Sequence, residues 1–167
     1  MSEQIAVILG NVLSGLGMVM LFISTRMQDK KQILCIQSFN HGCSAMAGVL
    51  LRGYSGVVQD IVSIARNMAV LRGKLTMVWK VVFVGVGLVL GLAFNNRGVV
   101  GLLPIIAATE YAVIVVRDGT TERTLKLAIV VSTICWALYS LFLMNYVNLV
   151  ANVITCASAV GYLLRKK

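Results

Sequence analysis

From residue 127 to residue 164 the chain runs 38 residues without a charged side chain. As a single helix rising 1.5 Å per residue this segment would be about 57 Å long, nearly twice the roughly 30 Å hydrocarbon core of a bilayer. The run must therefore turn back once, and Met144-Asn145-Tyr146-Val147-Asn148 is its one polar, turn-forming stretch. Composition points the same way. The chain is 59% hydrophobic and 13% charged, whereas a soluble domain is about 45–50% apolar and about 25% charged. That excludes an ordinary soluble domain and a disordered chain, and four unclustered cysteines exclude a disulfide scaffold.

Residues 4–25 and 32–51 carry no charge, and each run is long enough for one span. Residues 81–96 are also charge-free, and this span extends back to about Thr76, with Trp79 and Lys80 at the interface. Residues 98–116 are interrupted only by Glu110. No basic region precedes the first run, which therefore reads as a retained helix rather than a cleaved leader. Residues 56–71 are different, because hydropathy alone would leave them outside the membrane. Their polar members, Gly56, Gln59, Asp60, Ser63, Arg66 and Asn67, fall on one helical face, and Val57, Val58, Ile61, Val62, Ile64, Ala65 and Met68 cover the rest. The segment reads as a span with its polar stripe turned inward; the alternative is a helix lying on the membrane surface.

The basic residues provide an independent check, because cytoplasmic loops collect Lys and Arg. With seven spans and the N-terminus outside, the inner loops hold Arg26, Lys30 and Lys31, then Arg72 and Lys74, then Arg117, Arg123 and Lys126, then Arg165, Lys166 and Lys167. The outer loops hold only Arg52 and Arg97. Orientation thus accounts for the net charge of +9, and no nucleic-acid partner is needed to explain it.

A shift of 92 residues aligns the segment from Arg26 to Leu71 with the C-terminal part without a gap. Cys43 meets Cys135, Ala45 meets Ala137, Leu51 meets Leu143, Tyr54 meets Tyr146 and Val58 meets Val150. The polar stripes also correspond. Asn40, His41 and Ser44 fall on Ser132, Thr133 and Trp136, while Asp60 and Ser63 fall on Asn152 and Thr155. The expected fold is all-α with seven transmembrane helices in a 3+1+3 parallel repeat: a first three-helix bundle (1–72), a linker helix (73–97) and a second bundle (98–167). The N-terminus is expected outside and the C-terminus in the cytoplasm. Parallel repeats are one of the transporter plans, with the substrate site near midplane between the repeats. Gly87 and Gly91 give the linker helix small-xxx-small spacing for close packing.

Several stretches make the whole chain resemble the Imp-YgjV family of small bacterial inner-membrane proteins. They are the basic loop before Gln37-Ser38 and His41, Arg66 near the end of the third span, Leu102-Leu103-Pro104, and Cys135-Trp136-Ala137-Leu138-Tyr139. The resemblance implies a multi-pass location in the bacterial inner (cytoplasmic) membrane and brings no settled biochemical function. More remotely, the 3+1+3 plan is similar to the SWEET and PQ-loop group of sugar and small-solute transporters. That likeness implies an N-out, C-in arrangement, and matches a sugar-binding pair on the third helix of each half to Asp60 and Asn152. The group's hinge prolines and Pro-Gln pair are absent here apart from Pro104.

Ionisable residues inside a span are costly and mark functional sites by default. Asp60, Arg66 and Glu110 are of this kind. Asp60 and Arg66 are six residues apart and do not form an obvious pair within one helix, whereas Arg66 and Glu110 are expected as a cross-helix ion pair or gate. His41 is the only histidine; with Asn40 and Gln37 it can bind a hydroxyl- or amide-bearing solute or pass a proton, and a lone imidazole gives a metal site little support. Trp136 and Tyr139 suit ligand stacking as well as lipid anchoring. The four cysteines and Gly85, Gly87 and Gly91 read as packing residues. No phosphate-binding loop, catalytic triad or convincing carboxylate pair is present, so no enzyme, cofactor or metal is expected. The expected function is a small-solute facilitator or transporter, with Asn40, His41, Asp60, Trp136, Asn148 and Asn152 lining its site. Expected partners are the lipid bilayer and a small polar solute, with a homo-oligomer left open. The alternative is a non-transporting membrane receptor or assembly partner, whose polar stripes only pack the bundles together.

Overall fold

A chain in hydrocarbon must satisfy its backbone hydrogen bonds internally, and an uninterrupted helix does so within one segment. The computed structural model describes residues 2–24, 30–73, 76–116 and 121–165. Among them are seven helices: α1 (Glu3–Ser24), α2 (Lys30–Leu50), α3 (Tyr54–Leu71), α4 (Met77–Ala93), α5 (Leu102–Val116), α6 (Glu122–Phe142) and α7 (Tyr146–Arg165). The fold-back of the long charge-free run lies between Phe142 and Tyr146, as the polar stretch requires. Pro104 is buried in the first turn of α5, where its missing N–H costs no helical bond. Thr121 caps α6 by accepting a hydrogen bond from the Thr124 backbone N–H at 3.2 Å. Several loop residues of the charge argument, including Arg26, Lys74, Arg117, Lys166 and Lys167, lie outside the described residues.

The middle helix of each group of three packs between its two sequence neighbours: α2 between α1 and α3, and α6 between α5 and α7. Contacts of α3 with α5 and of α7 with α1 close these six into a ring, while α4 lies outside it against α3 and α5. Close approach depends on small residues. Gly10 and Gly17 on α1 are buried against α2, where an added Cβ would meet Leu51 at 3.0 Å and Asn40 Oδ1 at 2.6 Å. Gly87 and Gly91 are the buried residues of α4. Gln59 Nε2 donates to the Gly87 carbonyl at 2.8 Å, tying α3 to α4. Gly85, expected to pack, instead has open space beside it.

The distribution of side chains is the reverse of a water-soluble protein. Val78, Val81 and Val89 on α4, Ile8 and Val12 on α1 and Val153 and Ile154 on α7 are all exposed, while Ser55, Gln59, Asp60, Asn67, Thr133, Ser140 and Asn145 are buried. So extensive an apolar exterior requires a nonpolar surrounding. In α3 the polar face is turned inward and Ile61, Ala65 and Met68 face out. That is opposite to a surface helix, which shows its polar face to water. By length and composition, α1 over Glu3–Met20 and α7 are long and apolar enough to cross a membrane; Met77–Ala93, Leu102–Ile114 and Lys126–Phe142 are apolar but shorter.

The corner between α2 and α3 and the corner between α6 and α7 share one hydrogen-bond pattern. Gly53 N–H donates to Gly48 O at 2.8 Å and Asn145 N–H to Ser140 O at 2.9 Å. Arg52 and Met144, 92 positions apart, hold left-handed φ values of 55° and 56°. Leu51 and Leu143, just before them, are both buried.

Candidate functional site

The polar faces of α2, α3, α6 and α7 converge on a cavity of about 440 Å³, completed by α1 and α5. All six residues singled out from the sequence line it: Asn40 and His41 from α2, Asp60 from α3, Trp136 from α6, and Asn148 and Asn152 from α7. The lining is paired along the chain. Gln37, Asn40, His41, Ser44, Gln59, Asp60 and Ser63 each recur 92 positions later, as Ile129, Ser132, Thr133, Trp136, Ala151, Asn152 and Thr155.

The pairing is geometric rather than chemical. On the α2–α3 wall, His41 Nδ1 lies 2.8 Å from Asp60 Oδ1. A carboxylate only accepts, so Nδ1 donates, leaving Nε2 as the ring's remaining polar atom. Asp60 is 5% exposed, and at that burial an unpaired carboxylate would be costly. The opposite wall is neutral. Asn152 Nδ2 donates to the Asn148 carbonyl at 2.8 Å, and Asn148 Nδ2 donates to Ser140 Oγ at 2.9 Å. Part of the hydrogen-bonding capacity of these asparagines is thus spent on their own helices and on the neighbouring one.

Leu51, Tyr139 and Leu143 form a buried cluster against which Val7, Val100, Leu103 and Trp136 pack. Trp136 also lines the cavity, so one side chain is shared between the cluster and the site. The Tyr139 hydroxyl accepts from the Gly56 backbone N–H at 3.2 Å, satisfying a first-turn donor of α3, and lies 3.4 Å from Ser55 Oγ. Tyr139 therefore neither stacks on the cavity nor anchors in lipid. Outside the cluster, Arg97 donates to the carbonyls of Leu51 at 2.8 Å and Arg52 at 3.1 Å, a cation at the C-terminus of α2. Asn145 Nδ2 donates to Ser14 Oγ at 2.8 Å and Asn11 Nδ2 to the Met144 carbonyl at 2.8 Å, joining α1 to the α6–α7 corner.

The expected Arg66–Glu110 pair does not form. Arg66 lines the cavity beside Tyr111, whereas Glu110 is not among the lining residues and its buried Oε2 has no hydrogen-bond partner among the described residues. The reason is angular: Glu110 is one residue, about 100°, around α5 from Tyr111 and so leaves the cavity face. The cysteines also divide, since Cys43 is buried but Cys35 is exposed rather than packed. Gln59 and Tyr139 were not recognised as contact-making residues from sequence. Gln59 lay on the polar stripe, but the stripe does not say which neighbouring helix receives it.

A family model described as Imp-YgjV, bacterial inner membrane protein, matches residues 8–166. No curated protein and no solved structure matches the chain.

Proposed function

The chain belongs to the Imp-YgjV family of bacterial inner membrane proteins, and from that premise we propose that it is a small-solute facilitator or transporter whose central site is the cavity between two repeats. The observation that carries this reading is the convergence of seven lining residues and their 92-position counterparts on one polar cavity, inside a bundle whose exterior is apolar. The matching corner geometry at Arg52 and Met144 supports a 3+1+3 parallel repeat, with α4 as linker. The distribution of basic residues supports an N-out, C-in orientation. On that orientation the Leu51–Tyr139–Leu143 cluster lies on the outer side. In this reading the protein catalyses no chemical reaction and its partners are the bilayer and a small polar solute.

One observation favours the second reading, a non-transporting receptor or assembly partner. The bonds of Gln59 to α4 and of Asn145 to α1 are polar contacts that hold helices together. A thermal-shift screen of the purified protein against metabolites separates the two. A ligand present at 100 times its dissociation constant adds roughly 2.7 kcal/mol of stability. The transport reading predicts a hit that is lost in Asp60→Ala and Asn152→Ala and that moves across liposomes containing the protein. A hit with no flux supports the receptor.

A further inference from the structure

We infer that the cavity takes a small organic anion, with Arg66 receiving its carboxylate. This inference rests on the transport reading and narrows its substrate class. The charges of the site carry the argument. Among the described residues the cavity is lined by one carboxylate, Asp60, and one guanidinium, Arg66. Asp60 is already committed to His41 at 2.8 Å. Arg66 lies six residues further along α3, about 9 Å down the axis and on a different edge of the helix. No ion pair or hydrogen bond joins it to a described residue, and the carboxylate expected to meet it, Glu110, is turned away from the cavity. Arg66 is half-buried on the cavity wall, and the planar fork of donors of a guanidinium without a counter-charge matches a carboxylate's two oxygens. A bound anion supplies that missing counter-charge.

The rest of the lining fixes the kind of anion. His41, Asp60 and Arg66, the charged and titratable groups of the α2–α3 wall, face a second wall of Ser132, Thr133, Trp136 and Asn152, which has none. A ligand that satisfies both walls has its carboxylate toward α3 and an uncharged body, hydroxyl-bearing or apolar, against the hydroxyls, the amide and the indole. A dianion would leave its second charge without a cation, and a simple inorganic anion would leave the neutral wall unused.

The two tryptophans allow a direct test, because Trp136 lines the cavity while Trp79 is exposed on the outer face of α4. In full-length Trp79→Phe protein in nanodiscs, Trp136 emission is quenched in turn by acrylamide, iodide and caesium. The inference predicts quenching by acrylamide, with iodide about threefold or more effective than caesium once each is normalised to its quenching of free N-acetyltryptophanamide, because the cavity concentrates anions. Arg66→Gln should bring the normalised iodide-to-caesium ratio to one or below, since Asp60 remains, while leaving acrylamide quenching unchanged, which also shows that the variant is folded. Arg66→Lys should retain the preference. Lactate should protect Trp136 from iodide, and lactamide, which differs in lacking the charge, should not. If acrylamide quenches but the ratio is the same in Arg66→Gln, or lactate and lactamide act alike, the anion site is overturned and the transport reading stands. If acrylamide itself does not quench Trp136, the water-filled cavity fails and both readings fall together.

Discussion

His41 Nδ1 and Asp60 Oδ1 lie 2.8 Å apart and join α2 to α3 across the wall of the cavity. The two residues are 19 positions apart in sequence, and the corner at Arg52 brings their helices side by side. The contact does two things: it gives a buried carboxylate its partner and fixes the imidazole's orientation toward the cavity. A double-mutant cycle with His41→Ala and Asp60→Asn should therefore show coupling of about 1.5–3 kcal/mol in unfolding free energy, the range for a hydrogen bond to a charged group. Additivity within about 0.5 kcal/mol would mean that the pair is not formed in the membrane.

Tyr139 predicts a second effect. Tyr139→Phe keeps the ring in the Leu51–Leu143 cluster but removes the acceptor for the Gly56 N–H, leaving a buried donor unsatisfied. The expected loss is about 1–3 kcal/mol. Unfolding measured in detergent checks it, and Phe142→Tyr, on an exposed neighbour, serves as the control that should change little.

Gly85 and Gly91 occupy one helix and should respond with opposite sign. A Cβ at Gly91 would meet Gln59 Nε2 at 2.6 Å and Ile105 at 2.9 Å, whereas Gly85 has nothing within 4 Å. Gly91→Ala should destabilise the protein by about 1–3 kcal/mol through overpacking. Gly85→Ala should stabilise it by up to about 1 kcal/mol by removing a glycine from a helix interior. Thermal unfolding of the two variants beside the parent reads both.

The matched corners give a prediction of their own. Arg52 and Met144 both hold left-handed backbone with exposed side chains, which costs an L-residue about 1–2 kcal/mol. Arg52→Gly and Met144→Gly should each raise stability by about 1 kcal/mol, and together by the sum, since they lie in separate corners. Stabilisation at one position only, measured by the same unfolding assay, would mean that the corners are not energetically equivalent.

Much of this architecture is legible in the sequence because lipid imposes a simple rule on a helix: apolar outside, polar inside. Charge-free runs marked helices, and the stripe on α3 placed Gln59, Asp60 and Ser63 on the inner face, where they are found. The shift of 92 residues paired Asp60 with Asn152 before either helix had a position in space. Periodicity tells which side of a helix faces in, but not which neighbour it meets or at what height. For that reason the His41–Asp60 contact, the bond of Gln59 to Gly87 and the bond of Gly56 to Tyr139 were not foreseen. The Arg66–Glu110 pairing failed for the same cause: both residues were at a plausible depth, but one residue of rotation on α5 turns Glu110 away.

The central claim, that one water-accessible cavity is lined by equivalent positions of both halves, is tested most directly by thiol accessibility. In a variant lacking the four native cysteines, Asp60→Cys and Asn152→Cys are introduced separately and treated with a membrane-impermeant methanethiosulfonate reagent in open membrane fragments. The account predicts that both thiols react, while a cysteine placed at lipid-facing Val89 does not. Silence at both Asp60→Cys and Asn152→Cys in folded protein would contradict it, and would leave the polar stripes as packing alone.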